Sequence, residues 1–493
     1  MPDPVAPESS TVEGQALLSS LGCNQELKRA LSTLGNIALV LSDITPTASL
    51  LVIGTVVIAT AGTGSVWAYL IGCFLAINVA LCMGELGSMF PVAGGLFSIV
   101  TRVLGKPIGF LAMLDYMGQA VFLPASVAVG IGVYISALNG TIPSNVAAAV
   151  IMIIVTGIAL FAINFNAILT GFFLALELAV VSALAPSGLV HLQQPLSTIT
   201  NPVITNGKGG LTGIAVSAII AAIAVAMFSV NGYDSAINFA EETEGEAKHV
   251  GRAVVVAASI GIAFELITFL LVFFGVPNLG KFLGSATPML DAARSSFGDT
   301  FFTIVAIGAI IAIFNACLAI TLQFARIVWA AGRDRAWPEV ISAWIGKVDS
   351  KRGAPWVATL IVGILATILS FQGSLVAVVT FTAVLLIVLY ALICISAIVS
   401  RITQKDLPRP WKMPLWPIPP AIGLIGCVIA LTQQKIGDLV TVAVIFIAGL
   451  IYYYTFIRPR GDRYWNMAVD PNVELRKLAP QGSARTGVDS TRP

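Results

Sequence analysis

Two short polar stretches interrupt long apolar segments of this 493-residue chain. LSDITPTAS occupies residues 41–49, and FSVNGYDSA occupies residues 228–236. Each stretch contains one carboxylic acid, Asp43 in the first and Asp234 in the second. A carboxylate in apolar surroundings has to be protonated, paired, or available to a cation. The two stretches are therefore candidate sites for binding a positively charged group.

Both stretches also contain residues that interrupt a helix. Pro46 removes a backbone donor and clashes with the preceding turn, and it pushes Thr45 out of helical geometry. Asn231 and Gly232 are poor helix formers at the middle of their segment. An interrupted helix exposes amides at one half-helix end and carbonyls at the other, which suit a carboxylate and a cation respectively.

The composition indicates a membrane protein. Hydrophobic residues make up 57% of the chain and charged residues 11%, whereas soluble domains contain about 25% charged residues. A helix needs about 20 apolar residues to cross a bilayer. We predict twelve such segments, named spans 1 to 12: 33–60, 66–90, 107–138, 145–164, 167–190, 211–240, 250–276, 300–330, 355–372, 374–400, 415–433 and 438–457. They are expected to be helices, because lipid offers backbone groups no other partner.

The spacing of the two interruptions predicts how the spans are arranged. Spans 1 and 6 are both broken and lie five spans apart, which is typical of transporters built from inverted repeats. We therefore expect an all-α protein with two five-helix repeats, at about 33–190 and 211–400, within a core of 33–400. Two additional spans (401–457), an N-terminal segment (1–32) and a C-terminal tail (458–493) complete the predicted organisation.

Basic residues predict the orientation. With both termini in the cytoplasm, all 27 Lys and Arg residues except Lys208, Lys281, Arg294 and Lys435 fall on the cytoplasmic side. The N-terminal 30 residues show no signal-peptide pattern. We expect a multi-pass protein of the cell (inner) membrane.

Several function classes are disfavoured. The sequence contains no Walker-type motif, no soluble segment long enough to be an enzyme, and no nucleophile–base pair. Its six cysteines form no C-x-x-C pair and fit buried apolar positions better than disulfides or metal ligands. We expect no enzymatic activity, no cofactor, no metal site and no nucleic-acid partner.

Five motifs carry a resemblance to a known family. They are GELGSMFPVAGGLFSIVTRVLG (84–105), FSVNGYDSA (228–236), AEET (240–243), FARIVWAAGRDRAWP (324–338) and DITPTAS (43–49). Together they resemble the amino acid–polyamine–organocation transporters, in particular bacterial amino acid permeases, over roughly residues 25–460. The resemblance implies a fold of the leucine-transporter type. It also implies a secondary active transporter that moves amino acids or organic amines by alternating access.

The resemblance places the substrate at the unwound centres of spans 1 and 6, with Phe228 as an aromatic that covers it. The predicted substrate-binding residues are Ser42, Asp43, Ile44, Thr45, Thr47, Phe228, Ser229, Asn231, Gly232 and Asp234. Two departures matter. Hydroxyl residues replace the glycine-rich stretch that many members have in span 1, and span 5 lacks the lysine of some proton-coupled members.

The coupling ion stays open at this point. Glu177, the one charged residue of span 5, is a candidate proton carrier. Thr321 on span 8 could instead offer a hydroxyl oxygen to sodium beside span 1 carbonyls, and exchange is a further alternative.

Two readings of Asp43 are also open, because it could bind a substrate ammonium beside Ser42 and Thr45, or cap the second half of span 1. Of the remaining acids, Glu265 is a weaker candidate for proton transfer, and a structural role is favoured for Asp115. Glu85 could be structural or part of a gate. The resemblance gives the acidic run after span 6 the role of holding loops through Arg333 or Arg335.

Two rival functions use the same fold. A channel would need several weak sites along a pore rather than one site at mid-membrane. A nutrient sensor would usually have a large soluble output domain, which this sequence lacks.

Overall fold

The computed structural model describes residues 32–92, 94–161, 163–186, 192–207, 210–243, 247–349, 353–465 and 467, and these are mostly helical. Six helical runs are long and apolar enough to cross a membrane, and six shorter apolar helices of 10–17 residues accompany them. One of the long runs, Gly35–Met89, contains both span 1 and span 2. The count of twelve spans stays a prediction, and most of the predicted N- and C-terminal segments lies outside the described residues.

The first five spans have these helices: Thr33–Ile44, Pro46–Ala48 and Gly54–Ala61 with a π-helical turn at Ser49–Ile53 (span 1), Ser65–Met89 (span 2), Lys106–Leu138 (span 3), Ser144–Ala159 (span 4) and Ile163–Leu184 (span 5). The others have Val216–Ser229 and Ser235–Asn238 (span 6), Ala247–Gly275 (span 7), Pro288–Arg333 (span 8), Trp356–Gln372 (span 9), Leu375–Thr403 (span 10), Ile418–Thr432 (span 11) and Ile436–Tyr452 (span 12). Short helices Gly95–Leu104, Ser197–Thr200, Leu279–Gly284 and Glu339–Ile345 lie in connections.

The start of span 6 differs from the prediction. Residues Leu211–Gly213 form a strand that pairs antiparallel with Val203–Thr205, so the helix begins only at Val216. The hairpin turns through Gly207, which has φ = 73°. Glycine adopts this left-handed geometry without steric cost. Apolar composition alone had assigned these residues to the helix.

The start of span 8 also differs. Its helical run begins at Pro288, twelve residues before the predicted start, with an interruption at Gly298. Pro288 occupies the first helical turn, where its missing N–H costs nothing. This early part is polar, so a search for apolar segments does not include it.

Helices from the two halves of the chain pack against each other in pairs. Span 2 packs against span 7, span 3 against span 8, and span 4 against span 9. Spans 1 and 6 also contact each other, and their interrupted centres lie inside the bundle. Residues around both interruptions are therefore shielded on every side.

Candidate functional site

The predicted interruption of span 1 is confirmed at Thr45. This residue has φ = 51° and ψ = 63°, in the left-handed region, and is buried. A β-branched residue held there costs about 1–3 kcal/mol, and such strain concentrates at functional sites. The first half-helix ends with the Thr45 N–H donating to the Leu41 carbonyl at 3.2 Å.

Groups on span 1 and span 5 satisfy part of the broken backbone. The Thr47 N–H donates to Glu177 Oε1 at 3.2 Å, and the Thr47 hydroxyl donates to the Glu177 carbonyl at 3.1 Å. The Ser49 hydroxyl donates to the Ile44 carbonyl at 2.8 Å. Since Pro46 has no N–H and the Thr47 N–H points to Glu177, the carbonyls of residues 42 and 43 lack the donors that a continuous helix would give them.

The interruption of span 6 meets the interruption of span 1 directly. Gly232 has φ = 115°, and a Cβ at this position would lie 2.5 Å from the Asp43 carbonyl oxygen and 2.6 Å from the Ile44 nitrogen. Only glycine allows the two backbones to approach this closely. Ile44 is also covered by span 7, where a Cβ on Gly261 would lie 2.6 Å from its side chain. The two predicted breaks therefore form one buried junction.

The carboxylate of Asp43 has no hydrogen-bond partner at either oxygen among the described residues, although only 4% of the residue is exposed. The charged group that interacts with it is Asp234, and the Ser235 hydroxyl lies beside it. The alternative that Asp43 caps the second half of span 1 disagrees with these contacts. Glu177 accepts the Thr47 N–H instead.

The second acid at the junction belongs to a polar network that the sequence analysis missed. Asp234 accepts hydrogen bonds from the Tyr116 hydroxyl on span 3 and from Gln323 Nε2 on span 8, the latter at 3.0 Å. Asn238 Nδ2 donates to the Tyr116 hydroxyl at 2.8 Å. The other Asp234 oxygen, Oδ1, has no partner among the described residues. Gln323 could have been noticed as an isolated amide in an apolar span.

Two predicted residues on span 6 flank this junction. Phe228 is buried, and its carbonyl accepts the Asn231 N–H at 3.1 Å where the first half-helix ends. The Asn231 side chain accepts a hydrogen bond from the Tyr390 hydroxyl on span 10 at 2.5 Å. Asn231 is thus held by another span.

Ser229 lies in a separate cluster. Its hydroxyl contacts the Ser49 carbonyl at 3.1 Å, the Tyr69 hydroxyl at 2.9 Å and the Glu265 carboxyl group. All four residues are buried. The hydroxyl of this predicted substrate-binding residue therefore contacts groups on spans 1, 2 and 7.

The remaining predicted residues make simpler contacts. The Ser42 hydroxyl donates to the Thr170 carbonyl on span 5 at 3.2 Å. The Thr321 hydroxyl donates to the Cys317 carbonyl of its own helix at 2.6 Å. Glu177 Oε2 has no partner among the described residues. The described part of the chain contains no group of three or more His, Cys, Asp or Glu side chains suited to a metal ion.

Several further acids form pairs with arginine. We call the buried groups of Glu85, Glu241 and Glu242 with their arginines the acid–arginine clusters. Glu85 accepts from Arg401 at 2.7 Å and from Arg409 at 2.9 Å. Its other oxygen also accepts the Met413 N–H at 2.8 Å. These contacts hold Glu85 against span 10 and the segment that follows it.

The other two acids follow span 6. Glu241 pairs with Arg333 at 2.7 Å, which confirms one of the two partners expected for the acidic run. Glu242 forms a bidentate pair with Arg326 at 2.5 and 3.1 Å. Glu242 and Arg326 are both buried, and this pair was not predicted.

Comparison with known proteins identifies the family. The family model described as amino acid permease matches residues 31–459. The chain is 23% identical to the branched-chain amino acid permease BcaP of Bacillus subtilis, over 90% of this chain and 96% of that protein. It is 26% identical to the b(0,+)-type amino acid transporter 1 of Mus musculus over 78% of each chain. It is 23% identical to the methylthioribose transporter of Bacillus subtilis, over 83% and 89%.

These relatives are permeases and transporters, so the chain is a multi-pass membrane transporter and not an enzyme. The resemblance to amino acid–polyamine–organocation transporters is thereby confirmed. This protein belongs to the amino acid permease family.

Proposed function

We propose that this protein is a secondary active transporter that carries amino acids or organic amines by alternating access, with the substrate at the junction of spans 1 and 6. The observation that carries the proposal is the contact of Gly232 with the Asp43–Ile44 peptide, beside a buried carboxylate that has no hydrogen-bond partner among the residues the structure describes. A buried acid without a partner is costly unless a cation or proton compensates it. The family match and the amino acid transporters among its relatives support the same class of substrate.

The chemistry of the junction favours a substrate with a positive amine. Asp43 supplies an anionic acceptor, and the carbonyls of residues 42 and 43 supply further acceptors for an ammonium group. A substrate carboxylate, where one is present, would meet backbone amides at the opposite half-helix end. Phe228 would lie over the amine, where an aromatic face attracts a cation.

The pairing of spans 2 and 7, 3 and 8, and 4 and 9 supports the two five-helix repeats. Equivalent helices of inverted repeats pack around one site, and rocking of one repeat against the other exposes that site to each side in turn. We propose a proton as the coupling ion, in symport with the substrate. A sodium ion near Thr321 and obligatory exchange are the competing outcomes.

A thermal-shift screen of the detergent-purified protein tests the substrate class. The panel contains L-leucine, L-isoleucine, L-lysine, L-arginine, putrescine and phenethylamine, with propionate and glucose as ligands without an amine. At 100 times its Kd, a ligand stabilises the folded state by about 2.7 kcal/mol. We expect at least one amine to raise the unfolding midpoint and the two amine-free compounds to leave it unchanged.

Uptake of the same amine into proteoliposomes then tests transport. Uptake that is driven by an inward proton gradient and proceeds without sodium is the expected result. An absolute sodium requirement would reject proton coupling. Stabilisation by propionate alone would reject the amine preference.

The proposed orientation, with both termini cytoplasmic, has its own test. Asn206 and Lys347 are exposed on opposite sides of the predicted topology. The five described cysteines are buried, and the test uses a Cys23→Ser background to remove the sixth. A cysteine at position 206 should react with an impermeant maleimide added to whole cells. A cysteine at position 347 should react only after the membrane is opened. Labelling of both positions from the same side would overturn the twelve-span topology.

A further inference from the structure

The cluster around Ser229 contains an acid that the substrate site does not use. Glu265, on span 7, is fully buried and forms no ion pair within the described residues. Its Oε1 contacts the Ser229 hydroxyl, and its Oε2 has no partner in the described part of the chain. The titratable groups that face it are Tyr69 and Cys73, both on span 2.

A count of hydrogens decides the state of this acid. The Ser229 oxygen makes three polar contacts, with the Ser49 carbonyl, the Tyr69 hydroxyl and Glu265 Oε1. Each contact requires one hydrogen. Ser229 supplies one and Tyr69 supplies one, while a carbonyl supplies none. For all three contacts to be hydrogen bonds, the third hydrogen has to come from the carboxyl group of Glu265.

We propose that Glu265 is the proton-binding site of this transporter, and that its proton joins the two broken helices through Ser229. In the protonated state Glu265 and Tyr69 donate to the Ser229 oxygen, and the Ser229 hydroxyl donates to the Ser49 carbonyl. This arrangement matches the one donor and two acceptor sites of a hydroxyl group. The inference rests on the proposed function for its role in coupling, but not for the protonation itself.

Loss of this proton would change the contact between spans 1 and 6. The single Ser229 hydrogen would then have two competing acceptors, the Ser49 carbonyl and the Glu265 carboxylate. Hydrogen bonds to a charged acceptor are roughly twice as strong as neutral ones, so the hydroxyl would turn to Glu265. The bond from the first half of span 6 to the π-helical turn of span 1 would be lost.

The cluster is adjacent to the proposed substrate site. Ser49 donates its own hydroxyl to the Ile44 carbonyl at the break, and Gly261, one turn before Glu265, packs on the Ile44 side chain. Ser229 directly follows Phe228 in the chain. Proton binding at Glu265 and substrate binding beside Asp43 therefore act on the same two half-helix ends, which couples the two events.

Glu177 provides the contrast. It accepts the Thr47 N–H at a half-helix start, and this contact already has its hydrogen, so it requires no proton on Glu177. The prediction that Glu177 carries the proton is the alternative that the following experiments decide.

Infrared difference spectroscopy of the purified protein tests the protonation without any substrate. Protonated carboxylic acids give a C=O stretching band that carboxylates lack. At neutral pH, Glu265→Gln should remove the part of this band due to one carboxyl group, whereas Glu177→Gln, the matched control, should retain it. An unchanged band in Glu265→Gln, or loss of the band in Glu177→Gln instead, would overturn the proposal.

A second variant tests the same arrangement if Glu265→Gln folds poorly. Ser229→Ala removes the acceptor of the Glu265 proton, so the band should keep its area and move to higher frequency. A band at the parental frequency would show that Glu265 does not donate to Ser229, and would refute the inferred arrangement.

Transport tests the coupling. In proteoliposomes, uptake of L-leucine and L-lysine by the parent protein should rise when an inward proton gradient is applied. Glu265→Gln should lose this stimulation completely. Full stimulation in Glu265→Gln would reject the coupling role. Absence of uptake of both probes by the parent would count against the proposed substrates and leave the infrared result to stand alone.

Discussion

Buried acids occupy two different surroundings in this molecule. In the acid–arginine clusters, each carboxylate is matched by a guanidinium group, as in the bidentate pair of Glu242 with Arg326. At the junction of spans 1 and 6, Asp43 has no hydrogen-bond partner in the described part of the chain, and the charged group that interacts with it is another acid, Asp234. Both kinds of acid are shielded from solvent.

The contrast separates stability from binding. A paired acid contributes a fixed contact, and removing it leaves a buried cation without compensation. An unpaired acid destabilises the empty protein and gains its compensation when a ligand arrives. The same substitution, from acid to amide, is therefore expected to have opposite consequences in the two regions.

The largest expected effect is on Glu242. Glu242→Gln leaves the Arg326 charge buried without an ionic partner, and breaking a buried pair in this way costs about 3–5 kcal/mol. We expect a large drop in the thermal unfolding midpoint of the detergent-purified protein. The matched control is Asp43→Asn, which should unfold at or above the parental midpoint. Equal destabilisation by the two variants would show that paired and unpaired buried acids do not differ in their contribution to stability.

The next effect concerns the backbone contact at the junction. In Gly232→Ala the added Cβ would lie 2.5 Å from the Asp43 carbonyl oxygen, at φ = 115°. Strain of this kind costs about 1–3 kcal/mol. We expect amine-induced stabilisation and uptake to be abolished. Gly437→Ala, where nothing lies within 4 Å of the new Cβ, is the control and should behave like the parent. Normal uptake by Gly232→Ala would show that the substrate site lies elsewhere.

Asp43→Asn sharpens the comparison at the level of binding. The amide is nearly isosteric but removes the charge, so affinity for the cationic ligand should fall by about 1.5–3 kcal/mol, the range for a charged hydrogen bond. Isothermal titration or a dose series in the thermal-shift assay measures this loss. If Asp43→Asn binds the cationic ligand as tightly as the parent protein does, Asp43 is a structural residue and the proposed preference for amines is wrong.

The smallest effect is expected at Phe228. Phe228→Leu keeps an apolar side chain and removes the aromatic face, so a cationic ligand should lose about 0.5–2 kcal/mol of binding free energy. A zwitterionic ligand serves as the internal comparison, since its amine is partly neutralised by its own carboxylate. An equal loss of binding free energy for both ligands would indicate that Phe228 contributes packing and no cation–π contact.

The sequence predicts the two breaks because their causes are local. Proline at position 46 and glycine at position 232 each disfavour a continuous helix through their own backbone. The position of Asp43 beside the second break followed from the resemblance to a family with paired broken helices. The start of span 6 was predicted five residues too early, because the second strand of the hairpin directly precedes the apolar helix with no charged residue between them.

The partners of the site residues could not be predicted in the same way. Thr47 and Glu177 are 130 positions apart, and Tyr116 and Asp234 are 118 positions apart. Such contacts depend on which helix faces meet, and spans that are apolar on every side carry little periodicity to indicate this. Glu265 ranked low for the same reason, since nothing near it in sequence reveals the Ser229 hydroxyl.

The bond between Thr47 and Glu177 also affects how the protein is made. Span 1 leaves the ribosome with an interrupted backbone and a carboxylic acid, and the acceptor for its Thr47 N–H is encoded 130 residues later. At about 5–20 residues per second, that acceptor follows after on the order of ten seconds. Lipid cannot satisfy the open backbone in the meantime. Stable insertion of the first helix in the bilayer thus depends on helices that have not yet been synthesised. During biogenesis its open backbone therefore has to be shielded from lipid until span 5 is inserted.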